Sequence, residues 1–216
     1  MAVGGEKNIT LPNYPVELSS EVDFAPTVFR LIRDFDIEQI VETGALFGLG
    51  STLIFAQTGL PVFSIECNPK FVRLARRNLK CYPNVKIIQG YSLSRKKMIE
   101  FIARDKIYGQ KPRLKREGGR YAPLGYMVEI SQGPGQENLL IRLIDNPKRQ
   151  LVLLDSCGGV GYLEFKCFMS TRYLKNKILL LDDINHVKHY RSLKELKKMG
   201  VTFHRSCSRR WGWARF

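Results

Sequence analysis

The sequence predicts an α/β protein with a doubly wound, mostly parallel seven-stranded sheet and an antiparallel strand at the C-terminal end. Short apolar runs rich in β-branched residues alternate with helical patterns, which is the order of strand–helix–strand units. The clearest unit joins residues 39–43 to residues 62–65 through a glycine-rich turn and a short helix. Both runs are largely apolar, as expected for parallel strands that are covered by helices on both faces.

The remaining elements follow in the same alternation. Residues 1–23 are polar and contain two prolines, and we expect them to form an N-terminal arm on a single domain of residues 24–216. Helices are predicted at residues 24–34, 53–58, 70–79, 93–104, 136–145, 162–174 and 190–199. Further strands are predicted at residues 85–89, 151–154, 177–181, 201–207 and 211–216, the last two as an antiparallel pair.

An insertion at about residues 105–136 interrupts this pattern. It is rich in glycine and proline, and it mixes cations with tyrosines: Lys111, Arg113, Lys115, Arg116, Arg120, Tyr108, Tyr121 and Tyr126. Such a mixture suits anionic or stacked ligands, and long loops in compact domains are often functional. A solvated, disordered loop is the alternative. Residues 126–131 are a candidate for a short strand inside it.

Charge is the unusual feature of the composition. The 216 residues include 35 Lys and Arg against 20 Asp and Glu, which gives a net charge of +15. Such a surface attracts anionic partners, including anionic substrates, nucleic acid or anionic membrane. No apolar run is long enough to span a bilayer, the N-terminus lacks an apolar leader, and the 5 cysteines form no C-x-x-C pair. We therefore expect a cytoplasmic protein without a membrane span, disulfide framework or zinc knuckle, and no oligomeric state is predicted.

The glycine-rich turn is the strongest functional signal. Glu42, Gly44, Gly48 and Gly50 form an E-x-G-x-x-x-G-x-G pattern, and Glu66 follows the next strand. In open α/β sheets, ligands bind outside the carboxyl ends of the strands, and an acid at that place accepts ribose hydroxyls. The spacing is neither G-x-G-x-x-G nor a phosphate-binding P-loop, so a pyrophosphate cradle is poorly supported.

This arrangement resembles motif I and the following acidic position of class I, Rossmann-like S-adenosylmethionine-dependent methyltransferases. The resemblance implies that Glu42, Gly44, Gly48 and Glu66 hold the cofactor, with the glycine turn packed against its methionine part and Glu66 bound to its ribose. It also places the residues after the third strand near the adenine, where Tyr91 would stack on the ring and Ser92 would donate a hydrogen bond. A simple turn is the alternative for both residues.

Acids also follow the fourth and fifth strands. Asp155, Asp182 and Asp183 resemble the ligands of metal-dependent O-methyltransferases, which suggests a magnesium site and a cofactor contact by Asp155. Three converging carboxylates need a counter-ion, and hard oxygen ligands suit Mg²⁺. The alternative is that Asp183 caps the next helix and Asp182 is solvated.

His186 is a candidate general base, together with Asp155 as a catalytic residue. Related enzymes carry a histidine after the fourth-strand acid, and this chain has none there. The N-P-P-Y signature of amino-group methylation is absent, and covalent catalysis by Cys157 is improbable because no proline precedes it. We therefore expect methylation of a hydroxyl on a small molecule or glycan. The alternatives are an RNA-directed methyltransferase and a non-catalytic or NAD-type nucleotide-cofactor binding protein.

Overall fold

A computed structural model of the protein describes residues 18–104, 123–156, 160–185 and 187–216. Most of the predicted arm and the cation-rich part of the insertion therefore lie outside the described residues. The same holds for Cys157 and for the candidate base His186. Among the helices of the described residues, none has the length and apolar character needed to cross a membrane.

The strands form one sheet in the order β3-β2-β1-β4-β5-β7-β6. Their bounds are Gln39–Thr43 (β1), Val62–Glu66 (β2), Val85–Gln89 (β3), Gln150–Leu154 (β4), Lys177–Leu181 (β5), Phe203–Arg205 (β6) and Gly212–Arg215 (β7). Strands β1 to β5 pair in parallel, whereas β7 runs antiparallel to both β5 and β6. The predicted α/β class, the seven strands and the reversed C-terminal strand are confirmed.

Helices connect the strands. Their bounds are Phe24–Asp34 (α1), Ser51–Ala56 (α2), Pro69–Asn78 (α3), Arg95–Arg104 (α4), Pro123–Gln132 (α5), Leu139–Ile144 (α6), Val160–Met169 (α7) and Tyr190–Lys198 (α8). Every helix predicted from the sequence is present, with ends that shift by a few residues. Helix α6 starts later than expected because Gln136 forms a parallel bridge with Gly90 at the end of β3.

The predicted strand at residues 126–131 is wrong, because this segment belongs to helix α5. Met127 and Ile130 both pack into the cluster around Met98 and Val160, whereas Val128 is exposed. Residues three apart share one face of a helix, but they point to opposite faces of a strand. The contacts of this segment therefore follow the helical period, which a run of six residues cannot reveal by itself.

The core lies on both faces of the sheet. Strands β1, β4 and β5 are buried along their whole length. Alternate side chains, such as Leu151 and Leu153, pack beneath α1 and Trp211 on one face. Their neighbours Val152 and Leu154 pack against α6 and α7 on the other face. This two-sided burial explains the continuous apolar runs in the sequence and fixes the positions of the strand ends.

Candidate functional site

The candidate site lies at the edge of the sheet where the parallel strands end. Strand β1 pairs with β2 on one side and with β4 on the other, so the order of the strands reverses between β1 and β4. Ligands of open α/β sheets bind in the crevice at such a switch point. Glu66 is the last residue of β2, and the predicted site residues Gly44, Asp155 and Asp182 directly follow β1, β4 and β5.

The glycine turn is shaped by close packing against the protein itself. Gly44 has a φ of +87° and Gly48 a φ of +73°, both in the left-handed region that favours glycine. A Cβ atom on Gly44 would lie 2.5 Å from the carbonyl oxygen of Asp155, and one on Gly48 would lie 2.6 Å from Cδ1 of Leu79. Both glycines are therefore required where the turn meets β4 and α3.

Glu42 supports the turn from inside the protein. Its carboxylate is fully buried and accepts hydrogen bonds from the Thr52 hydroxyl at 2.7 Å, from the Ser64 hydroxyl at 2.6 Å and from the Ser51 hydroxyl. Ser51 and Thr52 open helix α2, while Ser64 lies in β2. Glu42 thus fixes the start of helix α2. It helps to position the backbone of the glycine turn that precedes this helix.

Glu66 lies beside the turn. The carboxylate is almost fully buried, at 6% residue exposure, and Oε2 accepts a hydrogen bond from the Leu46 N–H at 2.9 Å. Oε1 accepts one from the Asn68 N–H at 2.8 Å. The acid predicted to bind ribose therefore faces the glycine turn across the end of β2 and is held at a fixed position by backbone donors.

Tyr91 and Ser92 are buried behind the end of β3. Tyr91 belongs to a cluster with Met98 and Ile130, and Arg95 lies over its ring at 5.4 Å from the centroid. A Cβ atom on Gly133 would lie 2.1 Å from the Tyr91 hydroxyl, so only glycine fits where the chain returns from the insertion. These contacts place Tyr91 beneath that segment, and its predicted stacking on an adenine ring stays a prediction.

Glu164 is a buried acid that was not predicted as a site residue. Its side chain accepts hydrogen bonds from the Thr43 hydroxyl at 3.0 Å and the Ser156 hydroxyl at 2.6 Å, and Ser92 also bonds to it. The Thr43 hydroxyl in turn accepts a bond from the Asp155 N–H at 3.0 Å. Burial raises the pKa of Glu164, and the hydroxyl donors oppose that rise.

A sequence signal for Glu164 was present. Helix α7 buries Val160, Gly161, Phe165 and Phe168 on one face, and Glu164 occupies the middle of that face. An acid within an apolar stripe is rarely placed there without partners. Through its bonds to Thr43, Ser92 and Ser156, the Glu164 carboxylate connects the ends of β1, β3 and β4.

The three predicted metal ligands do converge. Asp155, Asp182 and Asp183 each offer an oxygen, and these oxygens lie within 4.8 Å of one another. The Lys188 ammonium lies 2.5 Å from Asp155 Oδ1 and 3.4 Å from Asp183 Oδ2. Arg210 donates from Nε and Nη2 to the two oxygens of Asp182, both at 3.1 Å. The cluster thus already contains two cations.

The environment of Asp155 shifts its proton affinity. Burial raises the pKa of Asp155 well above its ordinary value, Lys188 opposes that shift, and Asp182 and Asp183 add to it. A carboxyl group with a raised pKa is a better proton acceptor than an exposed one. Asp155 is therefore a candidate proton acceptor at the carboxyl ends of the strands.

His189 is a structural residue, although it follows the acid pair in sequence. It is fully buried, with Nε2 3.2 Å from the Leu154 carbonyl oxygen and Nδ1 3.3 Å from the Ser192 hydroxyl. Because a carbonyl oxygen only accepts, Nε2 is the donor in its contact with Leu154. This histidine fastens the start of α8 to the end of β4.

A separate cavity of about 320 Å³ lies at the opposite edge of the sheet. Its lining includes residues at or just before the starts of β1, β4 and β5, among them Ile37, Arg149 and Lys177. Nucleotide ligands of this sheet type bind at the other edge. We therefore assign the candidate site to the carboxyl ends of the strands and not to this cavity.

The fold is the Rossmann-like α/β fold that solved methyltransferase structures share. No protein-family model matches the sequence, and no curated protein matches it. The solved O-methyltransferase from Bacillus cereus in complex with SAH has a TM-score of 0.54 at 13% identity, covering 95% of this chain and 84% of that one. Cofactor-bound Rv0187 from MTB has a TM-score of 0.53 at 15% identity, with 95% and 82% covered. At these identities the likeness establishes the shared fold.

Proposed function

We propose that the protein is an S-adenosylmethionine-dependent methyltransferase that methylates a hydroxyl oxygen of a small molecule or glycan. One observation carries the proposal: the buried carboxylate of Glu66 faces the glycine turn at the end of β2, 2.9 Å from the Leu46 N–H. An acid at this place is suited to accept the paired hydroxyls of a ribose. The methyltransferases that share the fold include structures with SAH bound.

The residues at the turn fit such a cofactor. Gly44 and Gly48 let the turn pack closely on β4 and α3, which holds its backbone at the carboxyl ends of the strands, where ligands of such sheets bind. Glu42 holds the start of α2, and Glu66 is fixed by two backbone donors. When bound, S-adenosylmethionine supplies a methyl group that its sulfonium already activates, so the protein has to position the acceptor and remove its proton.

Asp155 is our candidate for proton removal. It follows β4 directly, next to Gly44, and burial raises its pKa. His186 is the second candidate from the sequence and lies outside the described residues. Oxygen is favoured as the acceptor atom because Asp155 is followed by Ser156, so the carbonyls and the aromatic ring of an amino-methylating N-P-P-Y motif are missing.

The sequence predicts a magnesium ion at the acids after β4 and β5, and our mechanism does not use it. Asp155, Asp182 and Asp183 have the right ligand chemistry for a hard cation. They do not fit a resident divalent ion, however, because Lys188 and Arg210 already lie at hydrogen-bonding distance from them.

RNA is the second candidate substrate for methylation. The net charge of +15 favours it, as do the cations of the insertion. Neutralising phosphates releases counter-ions, so RNA binding would weaken steeply with salt, with a log–log slope of about −0.7 per contacted phosphate on single strands. A binding constant that is independent of salt would remove this candidate.

Calorimetry with S-adenosylmethionine, S-adenosylhomocysteine and NAD tests the proposal. We expect both sulfur compounds to bind with one site per chain and NAD to give no heat. Binding of NAD without binding of the sulfur compounds would overturn the methyltransferase assignment and favour an NAD-type protein. A second assay should then measure transfer of a labelled methyl group from S-adenosylmethionine to pooled hydroxyl acceptors, with RNA as a separate pool.

A further inference from the structure

Lys188 is buried at the centre of the acid cluster. Its side chain is 2% exposed, and its ammonium lies between Asp155, at 2.5 Å, and Asp183, at 3.4 Å. The two carboxylates follow different strands, β4 and β5. A buried lysine is costly unless paired carboxylates compensate for its lost hydration. The ammonium therefore bridges two strand ends at the candidate site.

The stem of Lys188 is held as firmly as its ammonium. It crosses the first turn of α7, where a Cβ atom on Gly161 would lie 2.6 Å from Cγ of Lys188. Glycine at this position gives the stem its room. The adjacent His189 is bonded to the Leu154 carbonyl, which fixes the backbone at the same point. The position of the ammonium is therefore built into the fold and is not that of a mobile surface lysine.

Arg210 completes the cluster from the other side. It precedes β7 and binds both oxygens of Asp182 at 3.1 Å, while its Nε lies 3.7 Å from Asp183 Oδ1. Two parallel bonds from a guanidinium to a carboxylate form a rigid and strong ion pair. Among the described residues, the cluster therefore contains three carboxylates and two cations. Lys188 contacts Asp155 and Asp183, and Arg210 contacts Asp182.

We propose that Lys188 and Arg210 take the place of a divalent cation in this cluster, and that Lys188 is a positioning residue that aligns the Asp155 carboxylate for the acceptor. A divalent ion needs carboxylate oxygens at about 2.0–2.6 Å and would lie within a few ångströms of the ammonium. Repulsion between cations at that separation is strong in a buried site. The cluster is therefore a closed ion-pair network.

The ion-pair network does not depend on the proposed function. Only its consequence, methyl transfer without a metal ion, rests on that function. The acceptor hydroxyl would then lose its proton to a side chain without a metal ion to lower the pKa of the hydroxyl. The ion-pair network itself is tested without any methyl transfer, so its failure can be distinguished from failure of the methyltransferase proposal.

The first measurement titrates Mn²⁺ into the wild-type protein and follows its electron paramagnetic resonance signal. We expect the signal of free Mn²⁺ throughout, and the same melting temperature in EDTA and in excess Mg²⁺. Saturable binding of Mn²⁺ that is lost in Asp155→Asn would overturn the inference. This measurement needs no destabilising variant.

The second measurement uses Lys188→Met, with Lys197→Met as a control that removes one exposed charge from the same region. Loss of the buried ammonium leaves the carboxylates under-compensated, so we expect Lys188→Met to lower the melting temperature by about 10 °C and the control by far less. Lys188→Met should also gain Mn²⁺ binding, and a further Asp155→Asn change should abolish it.

A merely structural role for Lys188 would lower the melting temperature without creating Mn²⁺ affinity, and that result would overturn the inference. If Lys188→Met does not fold, the wild-type titration decides. Calorimetry with S-adenosylhomocysteine is run on the same samples. Absence of cofactor binding with no Mn²⁺ binding would reject the proposed function and leave the ion-pair network intact.

Discussion

Gly44 lies so close to Asp155 that a Cβ atom on the glycine would stand 2.5 Å from the Asp155 carbonyl oxygen. Real Cβ atoms do not approach a backbone oxygen this closely. The glycine turn after β1 is therefore seated directly on the end of β4. Because β4 also carries the candidate proton acceptor, this contact sets the distance between the proposed cofactor pocket and the acceptor chemistry.

Replacing Gly44 by alanine should destabilise the protein by at least about 2 kcal/mol, because the left-handed φ and the clash with Asp155 act together. Gly59→Ala is the matched control. Gly59 has a similar φ of +75°, but nothing lies within 4 Å of the added Cβ. Its cost should be about 1 kcal/mol. Urea unfolding measures the free energy of unfolding of both variants. Equal losses of this free energy in Gly44→Ala and Gly59→Ala would contradict the packing of the turn against β4.

Removing the Glu164 carboxylate should cost about 3 kcal/mol, because Glu164→Ala leaves the hydroxyls of Thr43 and Ser156 without their acceptor and opens a cavity. Glu38→Ala is the control, since that acid is about half exposed and loses only a hydrogen bond from the Arg149 N–H at 2.9 Å and an ion pair with the Arg149 guanidinium at 3.7 Å. An exposed pair contributes about 1 kcal/mol or less. Similar losses for both variants would show that Glu164 does not join the strand ends.

Lys177 should make stability depend on pH in the alkaline range. Burial lowers the pKa of Lys177 from 10.5 to about 8, while Asp145 and Glu38 oppose the shift. Between these values the unfolded chain keeps a proton that the folded protein has released. The free energy of unfolding contributed by Lys177 therefore rises as the pH rises through this range.

The variant Lys177→Met lacks this titration. Urea unfolding of the wild type and the variant at several pH values from 7.5 to 10.5 should show a stability difference that shifts towards the wild type as the pH increases. A difference that does not change with pH would contradict the assigned burial of the ammonium, which donates to the carbonyls of Asn146 and Lys148.

Much of the fold could be predicted because its signals are local. Buried parallel strands such as Lys177–Leu181 are continuous apolar runs, and the glycine turn lies next to the strand that it follows. The positions of Glu66, Asp155 and Asp182 at the carboxyl ends of strands could be predicted in the same way, because each directly follows an apolar run in the sequence. The strand predicted at residues 126–131 was wrong because six residues fit both a strand and a helix. Packing against Met98 and Val160 favours the helix.

The chemistry of the site depends on partners that are distant in the sequence. Lys188 is 33 residues from Asp155, Arg210 is 28 residues from Asp182, and Glu164 is 121 residues from Thr43. No spacing rule in the sequence links such distant positions. The three acids therefore suggested a metal ion, because the sequence did not show that Lys188 and Arg210 would lie beside them. Folding brings a lysine and an arginine to the cluster, and this changes the chemistry expected there.

The most direct test of the account is the affinity for S-adenosylhomocysteine of wild type, Glu66→Ala and Glu38→Ala, measured by calorimetry on samples whose folding is verified by melting temperature. Loss of a buried carboxylate that binds the ribose should weaken binding by about tenfold to a hundredfold, because hydrogen bonds to charged groups contribute about 1.5–3 kcal/mol. Glu38→Ala should bind like the wild type. Equal affinity in Glu66→Ala, or no binding by the wild type, would contradict the proposed pocket.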